Sequence, residues 1–520
     1  MRGIVPRKIK GFRDIDPDLN QLRWHIVNSA IEVYKKYGFE HWDTPVLEYA
    51  DSLGKYLPDS DSVAEGVYSF QNPELEPVLQ QDGKELRDES DHTVMEHHHL
   101  TMRYDLTAPL ARHYAEKLWI NHLRGQLNPQ RPPLFRRYQY GPVYRFEAKL
   151  DPGRFREFWQ MDFDSVGTAE AGSDAEVAMI LSDALESIGL QRNTYIVKVN
   201  NRKILSSFLQ GIGVATPESQ ADILRVVDKM DKIGREGVEL ELGKGRVDPQ
   251  SGGEIPGLKI EPAIVTKIAG FLDAFAETGN RANVLQNLEQ AQSNGVDLKQ
   301  GLEELQQIDA ILSSLGFADD RVIFDPTLVR GMAYYTGPVF EVESLQTYKD
   351  EKGRKRKVGS ICGGGRYDNL VKNLLGIPVP ATGASIGVDR LAELLMQTNQ
   401  IGAKALGPVL VVVFDDHLMT EYQKIAQELR NAGIPSEVYY GFQRNLKKQL
   451  AYADKKNCPV ALLLGEDEIA KGVVTVRDLK LGEKISADVT SKEEWKARAQ
   501  FETPRPQLTQ TVKNLINPTE

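Results

Sequence analysis

The first apolar pattern along the chain predicts a helix followed by an irregular strand. Ile26, Ala30 and Val33 recur at helical spacing, and Gly38 stands where such a helix would end. The next stretch, FEHWDTPVLE, reads as a strand that is interrupted by Pro45. Because proline cannot donate a ladder hydrogen bond, this strand belongs at a sheet edge or at a break in pairing. The pattern leaves open whether the pair is a plain packing unit or a subunit interface.

Two apolar-aromatic runs further on predict a pair of antiparallel strands with a polar face. The runs LFRRYQYGPVYRF and FREFWQMDFDSV are separated by the turn-rich segment EAKLDPG. Charged and amide side chains alternate with apolar ones inside both runs, as in a sheet of which one face lines a polar site. These side chains belong to Arg137, Arg145, Gln160, Asp162 and Asp164. A strand buried in an apolar core would not carry so many of them without a use for them.

A segment of different texture follows a predicted helix at residues 175–188 and a predicted strand, TYIVKVN. Residues 202–316 are mostly helical in pattern, highly charged, and broken by GRVDPQSGGEIPGLKIEP. We interpret them as a helical insertion. Strand-and-loop character returns in DPTLVRGMAYYTGPVFEV, after which TYKDEKGRKRK is either a nucleic-acid-binding signal or the solvated tip of a hairpin.

The last part of the chain alternates strands and helices. The buried strand VLVVVF, a helix ended by Gly433, and the strands SEVYY and VALLLG indicate a small α/β domain at residues 407–490. Within it, GVVTVRDLKLGEKISADV reads as a hairpin. Residues 497–520 are rich in Pro, Gln and Thr, and we expect a loosely ordered tail.

Composition adds limits to this picture. The 520 residues carry a net charge of −10, and 41% of them are hydrophobic, so several soluble globular domains are expected. A strongly acidic chain does not bind nucleic acid by bulk charge, although a local basic surface remains possible. The two cysteines, Cys362 and Cys458, have no metal-type spacing and fit a reducing compartment. No apolar run approaches the roughly 20 residues that cross a bilayer.

A cluster of histidines in MEHHHLTMRYDLT poses the question of a metal site. On a strand, His97 and His99 would face one way and His98 the other; on a helix, neighbours splay by about 100°. Because the imidazoles would not converge and no cysteine is near, we expect no intrinsic metal site. The histidines would instead form an approach strand or turn, and RYDLT would be the part that matters.

Three arginines lie in glycine-rich or polar surroundings that suit phosphate binding. Arg145 lies on the first predicted strand of the central pair, Arg330 precedes Gly331, and Arg390 ends GASIGVDR. A guanidinium group binds phosphate through a planar fork, and glycine allows close approach. The spacing of the three does not decide between this use and ordinary salt bridges. The chain contains neither a P-loop sequence nor a dinucleotide-binding fingerprint.

The chain resembles the histidyl-tRNA synthetases, a family of class II aminoacyl-tRNA synthetases, over nearly its whole length. KGFRD resembles the family's opening, RYDLT its amino-acid-binding loop, and LVRGMAYYTGPVFE its histidine-recognition signature. The class II motifs 1, 2 and 3 are similar to residues 22–48, 134–167 and 383–396. LKKQLAYADKKNCPVALLLGEDE resembles the family's anticodon-binding domain.

The resemblance implies a mixed α/β fold. A class II catalytic domain, with an antiparallel sheet flanked by helices, would span residues 1–400 and contain the helical insertion. The anticodon-binding domain would follow. The resemblance also implies a cytoplasmic homodimer with no transit peptide and no membrane association.

The implied reaction has two steps. The carboxylate of L-histidine attacks the α-phosphate of ATP to give histidyl-adenylate, and the histidyl group then passes to the 3′ end of tRNA(His). Arg145 and Arg330 would be the catalytic residues, and both would contact histidine as well. ATP would be bound by Arg145, Glu147 and Arg390, with Mg²⁺ arriving on the nucleotide rather than at a protein metal site.

The remaining histidine ligands follow from the same matching. Asp105, Thr107 and Gln160 match positions that bind the α-amino group. Asp164, Tyr334 and Tyr335 match the imidazole end. Because imidazole offers one donor and one acceptor, a carboxylate and a phenol can satisfy both nitrogens.

Two departures from the family pattern affect these expectations. Ala333 stands where an acidic residue is common, so a hydrogen bond of that acid is missing. The motif 2 loop, FEAKLDPG, is less basic than usual, so recognition of the tRNA acceptor end is expected to differ. The rival interpretations are a class II synthetase for another amino acid and a non-catalytic paralogue such as the regulatory subunit of ATP phosphoribosyltransferase.

Overall fold

The computed structural model describes two compact units, residues 1–401 and 402–520. Structure is described for most of the chain, in the following segments: residues 5–54, 66–80, 84–88, 90–146, 154–249, 252–275, 280–293, 296–329, 334–349, 353–398, 406–485 and 498–517. No helix in those segments is both long and apolar enough to cross a membrane.

An eight-stranded sheet forms the centre of the first unit. From one edge to the other its strands are β1 (Glu40–His41), β7 (Phe135–Tyr144), β8 (Glu157–Val166), β17 (Ala381–Gly387), β16 (Ser360–Arg366), β13 (Pro338–Ser344), β9 (Tyr195–Asn201) and β12 (Val322–Phe324). All neighbours are antiparallel except the two edge pairs, β1 with β7 and β12 with β9. The mixed fold expected from the sequence, with an antiparallel sheet and flanking helices, is confirmed.

Helices cover the sheet with their apolar faces. Outside residues 202–316, the helices of the first unit are α1 (Pro17–Lys36), α2 (Ala50–Gly54), α3 (Thr107–Leu123), α4 (Ala171–Ile188), α11 (Leu370–Leu375) and α12 (Val388–Gln397). In α1, Asp16 caps the N-terminus by accepting from the backbone N–H of Leu19 at 2.8 Å, and Pro17 begins the helix. Its apolar stripe, which includes Ile26 and Tyr34, is fully buried because it packs against α4 and the sheet.

Short strands extend the first unit beside the main sheet. They are β2 (Leu47–Tyr49), β3 (Ser69–Gln71), β4 (Glu76–Pro77), β5 (Met95–Glu96) and β6 (His99–Met102). Pro45 lies between β1 and β2, so the irregular strand of the sequence divides into two pieces that pair with different sheets. His97 and His98 lie in the short connection between β5 and β6, and His99 begins β6, in accordance with an approach strand or turn before RYDLT.

The described residues between 202 and 316 form helices and one small hairpin. The helices are α5 (Arg202–Gly211), α6 (Pro217–Val227), α7 (Met230–Leu242), α8 (Pro262–Phe275), α9 (Arg281–Ser293) and α10 (Lys299–Ser314), and the hairpin is β10 (Gly245–Val247) with β11 (Glu254–Pro256). Their buried residues join the core of the first unit. The charged stretch after β13 contains a second hairpin, β14 (Thr347–Lys349) with β15 (Lys355–Lys357), and all three residues of β15 are exposed.

The second unit is an α/β domain on a five-stranded sheet. Its strands, in sheet order, are β19 (Ser436–Val438), β18 (Val409–Val411), β20 (Val460–Leu463), β21 (Val473–Asp478) and β22 (Gln500–Pro504). Its helices are α13 (Met419–Asn431), α14 (Leu446–Lys455), α15 (Glu466–Lys471), α16 (Leu479–Ile485) and α17 (Leu508–Ile516).

Two expectations for the C-terminal region were wrong. In the described part of GVVTVRDLKLGEKISADV the expected hairpin does not form, because α16 follows β21 directly and β21 pairs with β20 and β22 instead. The expected loose tail contains both β22 and α17. Leu508 and Val512, one helical turn apart, are fully buried in the core of the second unit, and this apolar spacing outweighs the polar composition around it.

Candidate active site

A cavity of about 450 Å³ opens over the middle of the eight-stranded sheet. Strands β8, β13, β16 and β17 line it, together with the start of α3, the start of α12 and the tyrosines before β13. The cavity contains every described residue that the sequence assigned to substrate: Asp105, Thr107, Arg145, Gln160, Asp164, Tyr334, Tyr335 and Arg390. Residues from distant parts of the chain therefore meet at one place.

Asp164 lies at the floor of the cavity and is almost completely buried. Its Oδ2 atom lies 3.0 Å from a guanidinium nitrogen of Arg137, and its Oδ1 atom accepts a hydrogen bond from the hydroxyl of Tyr367. Burial raises the pKa of Asp164, while Arg137 and Tyr367 act in the opposite direction. A carboxylate in this position can orient a donor that enters the cavity.

Asp162 lies two residues earlier on the same face of β8 and was not among the substrate-binding residues expected from the sequence. Its side chain is 2% exposed, and its Oδ2 atom lies 3.5 Å from the hydroxyl of Thr107. Burial, followed by the charge of Asp164, raises the pKa of Asp162 to about 7. The period of two along a strand is the signal that would have found it, because Gln160 and Asp164 were already assigned to this face.

The amide of Gln160 has a fixed orientation. Its Nε2 atom donates to the hydroxyl of Ser385 on β17 at 2.8 Å, which leaves Oε1 turned away from that contact. Oε1 is buried and has no hydrogen-bond partner in the described part of the chain. An acceptor is therefore available on the wall of the cavity.

Asp105 has a structural role at the start of α3. Its Oδ1 atom accepts from the backbone N–H groups of Thr107 and Ala108 at 3.1 and 2.9 Å. Burial raises its pKa, and these two N–H groups together with Arg145 oppose the rise. One of its two oxygen atoms is thus already used by the helix.

Glycines in β16 and β17 allow the strands and tyrosines to pack closely around Asp164. A Cβ atom at Gly383 would lie 2.3 Å from Oδ1 of Asp164, and one at Gly365 would lie 2.7 Å from the ring of Tyr335. Only glycine fits at these two positions. Close packing of the site therefore requires Gly365 in CGGGR and Gly383 in ATGAS.

Three tyrosines form an aromatic wall at the same end. The rings of Tyr334 and Tyr335 are 5.0 Å apart and those of Tyr334 and Tyr367 are 6.0 Å apart, both in edge contact. Burial raises the pKa of each phenol, so all three are protonated at neutral pH and can donate.

Arginines line the opposite part of the cavity. Arg145 donates from Nε to the carbonyl of Tyr104 at 3.2 Å, and its guanidinium carbon lies 4.3 Å from the ring centroid of Tyr104 and 5.2 Å from that of Phe158. Arg390, in the first turn of α12, donates to the carbonyl of Ser360 at 2.7 Å. The two aromatic contacts restrain the guanidinium group of Arg145. It can therefore bind an anion through both of its terminal nitrogens with little further loss of side-chain entropy.

The residue before Arg390 connects four parts of the chain beneath this cavity wall. Asp389 Oδ1 accepts from Arg13 at 2.5 Å and from Arg23 at 2.6 and 2.9 Å, and its Oδ2 accepts from the backbone N–H of Trp159 at 2.6 Å. These contacts join the N-terminal segment, α1, β8 and α12. Nothing in the local sequence pattern indicated this long-range cluster.

Several expected residues lie outside the described part of the chain. These are Arg330, Ala333 and Glu147. Within the described residues, no group of three or more His, Cys, Asp or Glu side chains could bind a metal ion, and the histidine cluster makes other contacts. His97 Nδ1, for example, lies 2.9 Å from the carbonyl oxygen of Asn72.

Comparisons with protein families give two matches that together cover most of the chain. The histidyl-tRNA synthetase family matches residues 74–391, and the anticodon binding domain family matches residues 408–495.

Individual relatives agree with these matches. The histidine–tRNA ligase of Ruegeria sp. (strain TM1040) is 43% identical over 509 residues, which cover 98% of this chain and 95% of that protein. The histidine–tRNA ligase of Caulobacter vibrioides is 43% identical over 513 residues, which cover 98% of this chain and 96% of the relative.

Solved structures with the same fold include a histidyl-tRNA synthetase from Nostoc sp. PCC 7120. It has a TM-score of 0.68 and 26% identity, and the match covers 98% of this chain and all of that one. A Bacillus halodurans protein described as an ATP phosphoribosyltransferase regulatory subunit/histidyl-tRNA synthetase has a TM-score of 0.59, with 87% and 97% coverage. At 22% identity, the second likeness concerns the fold alone.

Proposed function

The chain belongs to the histidyl-tRNA synthetase family, and from this premise we propose that it ligates L-histidine to tRNA(His) at the expense of ATP. The observation that carries the proposal is one cavity with two chemically different ends. Carboxylates and phenols line one end, and arginines line the other. Histidine matches this division, because its ammonium and imidazole groups pair with carboxylates and phenols while its carboxylate joins a phosphate near the arginines.

The imidazole end is assigned to Asp164 and the tyrosines. A buried carboxylate accepts from one ring nitrogen of histidine, and a protonated phenol of Tyr334 or Tyr335 donates to the other. Amino acids without both nitrogens would leave these buried groups unpaired, which is strongly unfavourable. Selectivity for histidine follows from this pairing.

The phosphate end is assigned to Arg145, Arg330 and Arg390. Arg145 would hold the histidine carboxylate next to the α-phosphate of ATP, and Arg390 would bind the far end of the triphosphate. Arg330, from its place in the family signature, would stabilise the charge that develops at phosphorus, with Glu147 on the nucleotide. The reaction would be accelerated because histidine and ATP are held in the geometry for attack. It would also be accelerated because the positive charges of the arginines are preorganised around the α-phosphate.

Magnesium fits this arrangement as a companion of ATP. Glu341 on β13 is a carboxylate on the cavity wall, and one carboxylate with phosphate oxygens and water suits the preference of Mg²⁺. When bound, the ion would neutralise charge on the pyrophosphate leaving group. Glu341 is the described residue that we assign to it.

The second unit supplies the tRNA-binding surface in this proposal. Tyr440 and Phe442 are 67% and 103% exposed in the loop before α14, and Lys447 and Lys448 begin that helix. Exposed rings beside cations suit unstacked bases and their phosphates. This surface supports an anticodon-binding role for residues 407–490.

We also propose that the chain acts in the cytoplasm as a homodimer that joins through motif 1. The observation that supports the dimer is the position of β1 at an edge of the large sheet, directly after α1. Sedimentation should give twice the mass of the chain, and a catalytically active monomer would contradict the assignment.

Aminoacylation tests the whole reaction. The purified chain, ATP, Mg²⁺ and bulk tRNA are incubated with each of several radiolabelled amino acids. We expect only histidine to become acid-precipitable with tRNA, and nuclease mapping should place it on tRNA(His). Charging with a different amino acid, or none with histidine in the presence of an active control synthetase, would overturn the proposal.

A further inference from the structure

The cavity contains a buried carboxylate oxygen that the described part of the chain does not satisfy. Asp162 is 2% exposed and lines the cavity, yet its Oδ1 atom has no hydrogen-bond partner among the described residues. Oε1 of Gln160, two residues away on the same face of β8, is also buried without a hydrogen-bond partner among the described residues. Leaving such an acceptor unpaired costs about 1–3 kcal/mol, so two on one wall indicate that a ligand supplies the donors.

The surroundings of Asp162 orient it instead of neutralising it. The hydroxyl of Thr107 lies 3.5 Å from Oδ2, and Ser385, directly opposite in the β8–β17 register, lowers the pKa of the carboxyl through its hydroxyl. Ser385 also accepts from Nε2 of Gln160 at 2.8 Å, which turns Oε1 of that amide away. Threonine and serine hydroxyls therefore fix two neighbouring acceptors without pairing with all of their oxygens.

The charges around Asp162 favour a cation. The acidic groups that face it are Asp164 on β8 and Asp105 before α3, and burial raises the pKa of both. The cations that face it are Arg137 on β7, which is already within 3.0 Å of Asp164, and Arg103, which donates to the carbonyls of Pro142 and Thr44 at 2.9 Å. Because Arg137 contacts Asp164 and Arg103 donates to backbone carbonyls, neither cation is hydrogen-bonded to Asp162 in the described residues.

We propose that Asp162 is a substrate-binding residue of this chain, and that its Oδ1 atom and Oε1 of Gln160 accept hydrogen bonds from the α-ammonium group of histidine. The assignment rests on the proposed function and adds to it a residue that the family matching did not include. The ammonium group has three donors, so these two acceptors and the remaining oxygen of Asp105 can all be used. A charge-assisted pair in a buried site is stronger than a neutral hydrogen bond.

The protonation of Asp162 should follow the ligand. With a pKa raised to about 7, the empty site is partly protonated at neutral pH, whereas an ammonium group beside it favours the ionised form. The titratable groups around this carboxyl remain present in both states; they are Asp164, Asp105, Arg137, Arg103, Tyr34, Tyr334 and Tyr335.

The test compares two ligands that differ only in the ammonium group. Dissociation constants of histidine and of 3-(imidazol-4-yl)propanoate, which lacks that group, are measured by calorimetry at pH 7.5 for the wild-type chain and for Asp162→Asn. We expect the preference for histidine to fall on the order of 10- to 100-fold in the variant, while the affinity for the analogue changes little. An unchanged preference would overturn the assignment of Asp162.

A matched control and a second variant keep the test decisive. Asp174→Asn removes another buried carboxylate of the first unit, one that pairs with Arg366 at 2.7 Å outside the cavity, and it should preserve the preference for histidine. If Asp162→Asn folds poorly, Asp162→Ser replaces it in the test, because serine also lacks the charge and has a smaller side chain. An equal loss of preference in Asp174→Asn would contradict the proposal, because the effect would then come from buried charge in general.

The outcomes separate this inference from the proposed function. A wild-type chain that binds neither ligand, and activates no histidine, would contradict the function itself. A wild-type chain that binds histidine with the same preference as Asp162→Asn would contradict only the role of Asp162.

Discussion

Buried polar groups in the core of the second unit differ in their hydrogen bonding from those on the cavity wall of the first unit. In the second unit, the side chain of Gln449 is fully buried and makes two hydrogen bonds to the backbone of Val413, at 2.9 and 2.7 Å. The hydroxyl of Tyr422 donates to the carbonyl of Leu464 at 3.1 Å in the same core. In the first unit, by contrast, Oδ1 of Asp162 and Oε1 of Gln160 remain without partners among the described residues.

We interpret this contrast as the difference between groups that stabilise the fold and groups that, in our proposal, bind a ligand. A satisfied buried amide fixes the arrangement of its own unit, because its loss would leave backbone groups unpaired. An unsatisfied acceptor on a cavity wall is unfavourable in the empty protein and becomes favourable when a donor enters. Changes in the two places should therefore affect different measurements.

The largest effect is expected from the phosphate end of the cavity. Arg145→Ala should lower kcat/KM for histidine activation by about 10²- to 10³-fold, because a positioned charge on the reacting groups is lost. ATP–pyrophosphate exchange measures this rate. Thermal unfolding of the variant should remain within a few degrees of the wild type, since the guanidinium group makes a single described hydrogen bond, to Tyr104.

Arg145→Lys is the matched control for this change. It keeps the positive charge and loses the planar fork, so its rate should lie between those of the wild type and Arg145→Ala. Equal exchange rates for the wild type, Arg145→Ala and Arg145→Lys would contradict the catalytic role proposed for Arg145.

The second unit should show the reverse behaviour. Gln449→Met leaves the N–H and C=O groups of Val413 unpaired in a core, and we expect a loss of about 2–3 kcal/mol in the free energy of unfolding of that unit. Chemical denaturation followed by circular dichroism measures the loss. Pyrophosphate exchange should persist, because the cavity belongs to the first unit.

Gln427→Met provides the comparison for this substitution. Gln427 donates to Asn431 on the exposed side of α13, so its replacement should change stability by less than about 0.5 kcal/mol. If both variants lost the same stability, the buried pairing of Gln449 would not be the cause.

A change at Gly383 should affect stability and activity together. In Gly383→Ala, the new methyl group would lie 2.3 Å from Oδ1 of Asp164 and 2.4 Å from the carbonyl of Phe163, so the strands must separate or the carboxylate must turn. We expect a loss of about 1–3 kcal/mol in unfolding free energy and a higher KM for histidine.

Gly270→Ala tests whether any added methyl group has this effect. A Cβ atom at Gly270 meets nothing within 4 Å in α8, and alanine favours a helix, so stability should be unchanged or slightly higher. A higher KM for histidine in this control would show that the effect at Gly383 is not local.

The smallest expected effect is the pH dependence of the ligand-free protein. Asp162 has a pKa of about 7 when folded, and an unfolded aspartate titrates near pH 4. Between these values the folded chain binds more protons at this residue, so stability falls as pH rises through the window and levels off above it. The melting temperature of the wild type relative to Asp162→Asn should therefore decrease from pH 5.5 to pH 7.5. A constant difference would contradict the raised pKa.

Local patterns predicted the elements better than they predicted the contacts between distant segments. The helical spacing around Ile26 and the alternation in β7 and β8 were sufficient for α1 and the central strand pair. The β21–β22 pair joins strands that are separated by a helix and a stretch of other residues, and no local signal specifies such pairing. Composition alone was misleading for α17, in which a few buried residues determine the outcome.

The site shows the same limit. The family resemblance named residues that the fold brings into one cavity, and their individual roles remain proposals. It did not name Asp162 or the cluster around Asp389, which joins Arg13 and Arg23 across more than three hundred residues of chain. Such contacts depend on the tertiary arrangement, and sequence spacing carries no information about them.

The most direct measurement of the central claim is ATP–pyrophosphate exchange over a panel of amino acids. The account predicts exchange that depends on histidine and is negligible with the others, because in the proposed assignment only histidine would pair with both the carboxylate and the phenols of the cavity. Equal exchange with several amino acids, or exchange that does not depend on histidine, would contradict it.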